Sequence, residues 1–208
     1  MRKIACIALL AFLAPLHPAG AVDTDALVSE LRGGGYVIMF RHGATDDSRK
    51  DVYPLNFTDM TAQRQLSANG REMAADVGRA VRKLGIPIGL VLTSKLNRAV
   101  ETGKLLSSRD VQAVDALTDG GGSASAMANP GGANRKAGAA VRDNLVNTPP
   151  SGTTDTILVT HKTNFADAFG KDAGDVQEGE AFVYKPDPSG QPKLVARVKA
   201  TDWIAAAK

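Results

Sequence analysis

Short apolar runs of strand length alternate along the chain with segments whose apolar residues recur at helical spacing. Apolar positions at three- and four-residue intervals predict helices over Asp23 to Leu31, Ala68 to about Leu84, Ser94 or Asn97 to about Leu106, and Asn134 to Asn147. The apolar runs predict strands over Tyr36 to Phe40, Ile88 to Thr93, Val111 to Val114, Thr156 to Thr160, Ala181 to Tyr184 and Leu194 to Val198. This alternation predicts an α/β fold, a three-layer α/β/α sandwich with a mostly parallel central sheet.

Two segments lack either pattern and are predicted to be loops. Asp46 to Gln65 is polar, contains Pro54 and is long for a connection between elements of a compact domain. Asp119 to Gly132 is rich in Gly, Ala, Ser and Asn. Because loops carry much of the specificity of enzymes, we expect these two segments to shape any substrate site.

The first 21 residues have the pattern of a signal peptide. Arg2 and Lys3 precede an apolar stretch from Ile4 to Leu16, and Ala19-Gly20-Ala21 fits the small-x-small rule for cleavage. An uncleaved N-terminal anchor is the alternative, but the apolar stretch is shorter than a membrane span requires. We therefore expect cleavage after Ala21, export to a bacterial periplasm and no stable membrane insertion.

The remaining residues, 22–208, have the length of a single domain. Cys6 is the only cysteine and lies in the predicted signal peptide, so neither a disulfide nor a thiolate is expected in the mature chain. His42 and His161 are then the only imidazoles, too few for most zinc sites unless carboxylates join them, and we expect no metal or other cofactor. The formal charge of +3 falls to +1 without the two N-terminal basic residues, so nothing favours nucleic acid as a partner.

Four cationic or imidazole side chains are predicted to meet at one edge of the sheet. Arg41 and His42 follow the first strand, Arg98 lies early in the helix after the second, and His161 follows a later strand. Taken singly, each has a commoner explanation as a surface turn, an ion pair or a backbone-bonded histidine. Together they describe an anion site, because guanidinium groups match phosphate oxygens and a helix N-terminus near Ser94 would add backbone N–H donors.

Four segments resemble motifs of a known family. Arg41-His42-Gly43-Ala44-Thr45 resembles the Arg-His-Gly signature of the histidine phosphatase superfamily, in its phosphoglycerate mutase-like branch. The segments similar to its other motifs are Gln63-Arg64-Gln65-Leu66-Ser67-Ala68-Asn69-Gly70, Leu92-Thr93-Ser94-Lys95-Leu96-Asn97-Arg98-Ala99-Val100-Glu101-Thr102 and Val159-Thr160-His161. These segments occur in the family's order and extend over most of the chain after the signal peptide.

The resemblance implies roles for individual residues. His42 would take the phosphoryl group as phosphohistidine, and Arg41, Arg98 and His161 would bind the phosphoryl oxygens together with Thr45 and Ser94. The family's proton donor follows the third strand, and Leu117-Thr118-Asp119 fits that segment, which makes Asp119 the expected general acid. A turn-forming role for Asp119 is an equal alternative, and Glu101, Asp46 and Glu180 are weaker candidates for the acid.

The expected function is hydrolysis of phosphomonoesters without a metal, because the arginines supply the charge that a metal would otherwise provide. The substrate is expected to be a small-molecule or envelope phosphate, on the basis of the compartment alone. The alternative is a phosphate- or anion-binding module of the same fold with weak or no turnover. The sequence leaves the oligomeric state open.

Overall fold

The computed structural model describes residues 24–118 and 133–208. The predicted signal peptide, the predicted glycine-rich loop and Asp119 lie outside the described residues.

A six-stranded mixed sheet forms the centre of the described structure, in the order β3-β2-β4-β1-β5-β6. The strands are β1 (Val37–Arg41), β2 (Ile88–Thr93), β3 (Gln112–Ala113), β4 (Asp155–Thr160), β5 (Ala181–Lys185) and β6 (Lys193–Val198). The pairs β2–β3, β2–β4 and β1–β4 are parallel, whereas β1–β5 and β5–β6 are antiparallel. The sequence prediction of an α/β fold with a mostly parallel sheet is confirmed.

Helices cover both faces of the sheet. They are α1 (Thr24–Arg32), α2 (Ala68–Lys83), α3 (Asn97–Ser107), α4 (Ala133–Val141), α5 (Lys162–Phe169) and α6 (Ala200–Ala206). One buried cluster joins the sheet to α1, α2, α3 and α6, and a second joins its other face to α4 and α5. Alternate residues of β1 show this division, because Ile38 and Phe40 belong to the first cluster and Val37 and Met39 to the second.

Local sequence explains the boundaries of α2, the longest helix of the described residues. The Ser67 side chain accepts a hydrogen bond from the Gly70 N–H at 3.0 Å and so caps the helix start. Val77 and Val81, one turn apart, are buried against the sheet. The helix ends where Gly85 takes a φ of 71°, a left-handed conformation that glycine adopts without steric cost.

The structure adds elements to those predicted from sequence. Helices α5 and α6 were not predicted, and the predicted helix over Asn134 to Asn147 is α-helical only to Val141, with a π-helical turn over Arg142–Val146. Within the described residues, no helix is both long and apolar enough to cross a membrane.

Candidate active site

Three neighbouring parallel strands bring the predicted residues to one edge of the sheet. His42 directly follows β1, Ser94 follows β2 and His161 follows β4, and these strands are adjacent in the sheet. The ladder continues past the strand ends, since the His42 N–H donates to the Thr160 carbonyl at 3.0 Å and the Ser94 N–H to the Val159 carbonyl at 2.9 Å. The carboxyl ends of parallel strands are where ligands bind in open α/β sheets.

The two imidazoles lie side by side and are buried. The ring centroids of His42 and His161 are 5.1 Å apart, and the ring planes are tilted by 60°. The Nδ1 atom of His42 lies 2.8 Å from the Gly43 carbonyl oxygen, which can only accept, so Nδ1 carries the proton. Nε2 of the neutral ring is therefore left with its lone pair, as a nucleophile requires.

Burial keeps both histidines neutral. It is the largest cause that lowers the pKa of His42, to about 3; the nearby charges of Arg98, Arg41 and Arg64 lower it further, against the opposing effect of the Gly43 hydrogen bond. Burial, followed by His42 and the same arginines, also lowers the pKa of His161 well below its usual value. Desolvation, more than repulsion by the neighbouring arginines, is therefore the main reason that the His42 ring stays uncharged.

Each of the two predicted arginines keeps a free donor. The Nη1 and Nη2 atoms of Arg41 donate to the Val176 carbonyl at 2.9 Å and to Glu178 at 3.1 Å. Arg98 donates from Nη1 to Asp51 at 2.9 Å. The Nε atoms of both arginines are buried without a hydrogen-bond partner. Such orphaned donors are rare in folded proteins and are suited to the oxygens of a bound anion.

Thr102 joins the Arg98 helix to the loop of the nucleophile. Its Oγ1 donates to the Arg98 carbonyl at 2.7 Å and accepts from the Gly43 N–H at 3.1 Å. The spacing of Arg98 and Thr102 in one helical turn therefore fixes the nucleophile's loop relative to the arginine. Close packing adds to this, because a Cβ at Gly70 would clash with the Ala44 carbonyl oxygen.

Ser94 and Thr45 differ in whether their hydroxyl groups are free to bind a ligand. Ser94 is fully buried, its Oγ lies 2.8 Å from His161 Nε2, and the same Oγ accepts from the Leu96 N–H at 3.1 Å. It therefore orients His161. The Thr45 Oγ1, in contrast, is buried without a partner and is free to meet a ligand oxygen.

Three of the backbone N–H groups at the start of α3, which the sequence suggested as anion donors, are already bonded within the protein. The N–H of Lys95 donates to Thr118 Oγ1, and that of Asn97 to Gln63 Oε1, both at 2.9 Å. The Leu96 N–H is already used by Ser94. This helix terminus therefore offers fewer free N–H donors than expected, and the side chains are the main groups available to bind an anion.

Sequence and structure comparisons agree on the fold around this site. Residues 37–121 match the sequence model of the histidine phosphatase superfamily (branch 1). The structure of a mycobacterial glucosyl-3-phosphoglycerate phosphatase with VO3 is 19% identical, with a TM-score of 0.52 over 77% of this chain and 97% of that one. The chain has the histidine phosphatase fold.

Two further solved structures share the histidine phosphatase fold. The protein histidine phosphatase SixA, in complex with tungstate, is 16% identical with a TM-score of 0.53, over 80% of this chain and 97% of that one. A mutant phosphoserine phosphatase from Entamoeba histolytica, in complex with phosphoserine, is 14% identical with a TM-score of 0.56, over 80% of this chain and 98% of that one. No curated protein sequence matches the chain.

The weaker candidates for a general acid are engaged elsewhere in this histidine phosphatase fold. Glu101 accepts two hydrogen bonds from Arg71, at 2.6 and 3.2 Å. The buried Glu180 accepts from Arg197, and the exposed Asp46 accepts from its own loop at Ser48. Asp119 lies outside the described residues, so its role as the acid stays a prediction.

Sequence reasoning missed three charged residues that act on the site. The charge of Arg64 contributes to lowering the pKa of both His42 and His161. Asp51 and Glu178 hold Arg98 and Arg41. Arg64 stands in one of the quoted motifs, two residues before Leu66, whereas nothing in the sequence pattern distinguishes the two carboxylates.

Other features of the described residues do not compete with this site. Residues 24–118 and 133–208 contain no group of three or more His, Cys, Asp or Glu side chains suited to a metal. A cavity of about 520 Å³ lies beside the starts of β2 and β4, lined by uncharged residues such as Leu90, Leu145 and Pro149. Because it lacks charge and lies at the strand starts, it does not suit a phosphate.

Proposed function

We propose that this chain is a histidine phosphatase that hydrolyses phosphomonoesters through a phosphohistidine at His42. The observation that carries this proposal is the neutral, buried His42 ring, with Nδ1 bonded to a carbonyl, beside two arginines whose Nε donors are unpartnered. The match to the superfamily and the phosphatases of the same fold support it.

In the first step, Nε2 of His42 attacks the phosphorus of the ester. The new P–N bond forms as the ester P–O bond breaks, and the oxygen leaves with the electron pair. Arg41 and Arg98 offset the charge on the phosphoryl oxygens, since phosphoryl transfer depends mainly on positioning and charge stabilisation. Ser94 keeps the His161 ring oriented beside the phosphoryl group.

In the second step, a water attacks phosphorus and the P–N bond breaks. The electron pair returns to His42 Nε2, and inorganic phosphate leaves. The first step needs an acid that protonates the leaving oxygen, and the second needs a base that takes the proton from water. We assign both roles to Asp119, from the resemblance of its segment to the family's.

Trapping of the intermediate tests this proposal. Protein quenched in denaturant during turnover of a labelled phosphomonoester should carry phosphate on His42 that is stable to alkali and lost in acid. The His42→Asn variant should carry none and should have no activity. Full activity in that variant, or labelled phosphate on another residue, would contradict the proposed nucleophile.

A pair of substrates tests the acid. Aryl phosphates have good leaving groups and need little protonation, whereas alkyl phosphates depend on it. Asp119→Asn should therefore slow an alkyl phosphate by about 100-fold and an aryl phosphate much less. Equal effects on the two substrates would remove Asp119 from the mechanism.

The alternative, an anion-binding module, is supported by one observation. Within residues 24–118 and 133–208, the candidate acids Glu101, Glu180 and Asp46 are all bonded to other groups. Binding of vanadate with no turnover of either substrate would favour the module. Turnover unaffected by EDTA would favour the metal-independent enzyme.

The compartment and substrate class are also proposals. Residues 1–21 carry the sequence pattern of a signal peptide, which supports export to a periplasm and a small-molecule or envelope phosphomonoester as the substrate. Cell fractionation of the tagged full-length chain tests export, and a panel of phosphorylated metabolites with the purified protein tests the substrate class.

A further inference from the structure

Each of the two site arginines is held by a carboxylate and a carbonyl oxygen from another segment of the chain. Arg41 donates from Nη2 to the Glu178 carboxylate and from Nη1 to the Val176 carbonyl. Arg98 donates from Nη1 to the Asp51 carboxylate at 2.9 Å and to the Arg64 carbonyl at 3.5 Å. In each case one carboxylate and one carbonyl accept from the guanidinium, through both Nη1 and Nη2 in Arg41 but through Nη1 alone in Arg98. The Nε–H of each arginine remains buried and unpartnered.

The carboxylate that holds Arg98 is itself firmly placed. The side chains of Arg98 and Asp51 are only 4% and 11% exposed, so this is a buried ion pair. The same Asp51 oxygen also accepts the Arg64 backbone N–H at 2.9 Å. Asp51 is thereby tied to its own loop and to the arginine at once.

The segment that holds Arg41 is anchored by a separate network. The buried Glu180 carboxylate accepts from the Gln177 N–H at 2.7 Å and from Arg197 Nε at 2.9 Å. The Gly179 N–H lies 3.2 Å from the carbonyl oxygens of both Arg41 and His42. Glu178 lies between these fixed points, so its position relative to Arg41 is set by the fold.

We infer that Asp51 and Glu178 are positioning residues that orient the two guanidinium groups so that both Nε–H donors face the phosphoryl group. Their consequences for catalysis rest on the proposed function. A guanidinium turns freely about its side-chain bonds unless its terminal nitrogens are fixed, and a donor must be aimed before the reaction to stabilise a transition state. Asp51 also offsets the charge of the buried Arg98, and Glu178 offsets that of the partly exposed Arg41.

Substitution by an amide or by alanine distinguishes two roles of these carboxylates, orienting the guanidinium group and offsetting its charge. An amide in place of the carboxylate keeps an oxygen that accepts from the guanidinium but removes the negative charge. An alanine removes both. If the residues act by positioning, the amide variants retain kcat and the alanine variants lose it. Because a carboxylate repels phosphate, the amide variants should also bind inorganic phosphate more tightly.

The experiment compares Asp51→Asn with Asp51→Ala, and Glu178→Gln with Glu178→Ala, using an aryl phosphate. We expect kcat to fall about 30-fold in each alanine variant and less than threefold in each amide variant, judged from the effect of misplaced transition-state donors. Inorganic phosphate should inhibit the amide variants at about tenfold lower concentration. Asp143→Ala, which removes a carboxylate paired with Arg142 outside the site, is the matched control and should leave kcat unchanged.

Two further measurements keep the outcome decisive. Melting temperatures identify an alanine variant that fails to fold, and the amide variants then carry the test through phosphate inhibition and kcat. An amide variant with the same kcat as the corresponding alanine variant would overturn the inference. If the wild-type protein has no turnover, the proposed function fails but the positioning role can still be tested by vanadate binding. Stronger vanadate binding by Asp51→Asn than by Asp51→Ala would support the positioning role, and equal binding by the two variants would refute it.

Discussion

Replacing His42 by a residue that does not titrate should change how the folded state responds to pH. His42 has a pKa of about 3 in the folded protein because it is buried, against 6.5 for an ordinary histidine. Between these values the unfolded chain binds a proton that the folded protein does not. Stability from this group is therefore complete above pH 6.5 and is lost progressively as the pH falls toward 3.

The loss of unfolding free energy that His42 causes at pH 5 depends little on the exact pKa of His42 in the folded protein. At 1.5 units below 6.5 the unfolded histidine is almost fully protonated, while the folded ring is still neutral. Each unit corresponds to about 1.4 kcal/mol, so acidification from pH 8 to pH 5 costs about 2 kcal/mol for His42. His161→Asn should change the pH dependence in the same direction, because burial also lowers the pKa of His161 well below its usual value.

Denaturant unfolding of wild type and His42→Asn at pH 8 and pH 5 measures this contribution. The difference in unfolding free energy between the two proteins should shift by about 2 kcal/mol between these pH values. Comparing the two proteins cancels the contributions of titrating groups that do not interact with His42. Phosphate is left out of the buffer, because a ligand of the folded state would add its own stabilisation. The same pH dependence in both proteins would refute the neutral, buried state of this imidazole.

Three other predictions follow from single contacts. Asp155 is buried, its Oδ2 has no partner, and burial raises its pKa to about 6, so the charged carboxylate destabilises the folded state above that pH. Asp155→Asn should therefore raise the unfolding free energy by about 2 kcal/mol at pH 8 and by little at pH 4. No gain in the unfolding free energy at pH 8 would contradict this prediction. Gly70→Ala should lower the unfolding free energy by about 2 kcal/mol, because the added Cβ would clash with the Ala44 carbonyl oxygen. The control substitution Asn69→Ala, at an exposed position, should change the unfolding free energy by less than about 0.5 kcal/mol. Equal effects of the two substitutions would contradict the predicted clash at Gly70. Nitrogen-15 NMR of the imidazoles should show His42 protonated at Nδ1 and neutral from pH 5 to 8, and a midpoint within that range would disprove the assigned state.

Elements with strong local patterns were predicted well from sequence. Strand β2 occupies the predicted residues Ile88–Thr93, and α2 ends one residue before the predicted Leu84. Both have regular apolar spacing and clear turn residues at their ends. Helices α5 and α6 are only eight and seven residues long, so their amphipathic pattern spans about two turns and is too short to stand out.

The arginine partners could not have been predicted in the same way. Asp51 lies 47 residues before Arg98, and Glu178 lies 137 residues after Arg41. Neither carboxylate stands in an apolar pattern or beside a motif. Only the packing of two loops against the strand ends brings them to the guanidinium groups.

The sequence by itself determined which residues form the candidate site, because residues that end parallel strands must meet at one edge of the sheet. His42, His161 and Arg41 could be grouped on that basis, and Arg98 follows from its place near the start of a helix after a strand. Tertiary structure alone decided the protonation state and the free donors. These depend on burial and on hydrogen bonds between segments far apart in the chain, and no local pattern encodes the depth at which an imidazole is covered or the carboxylate that holds a guanidinium.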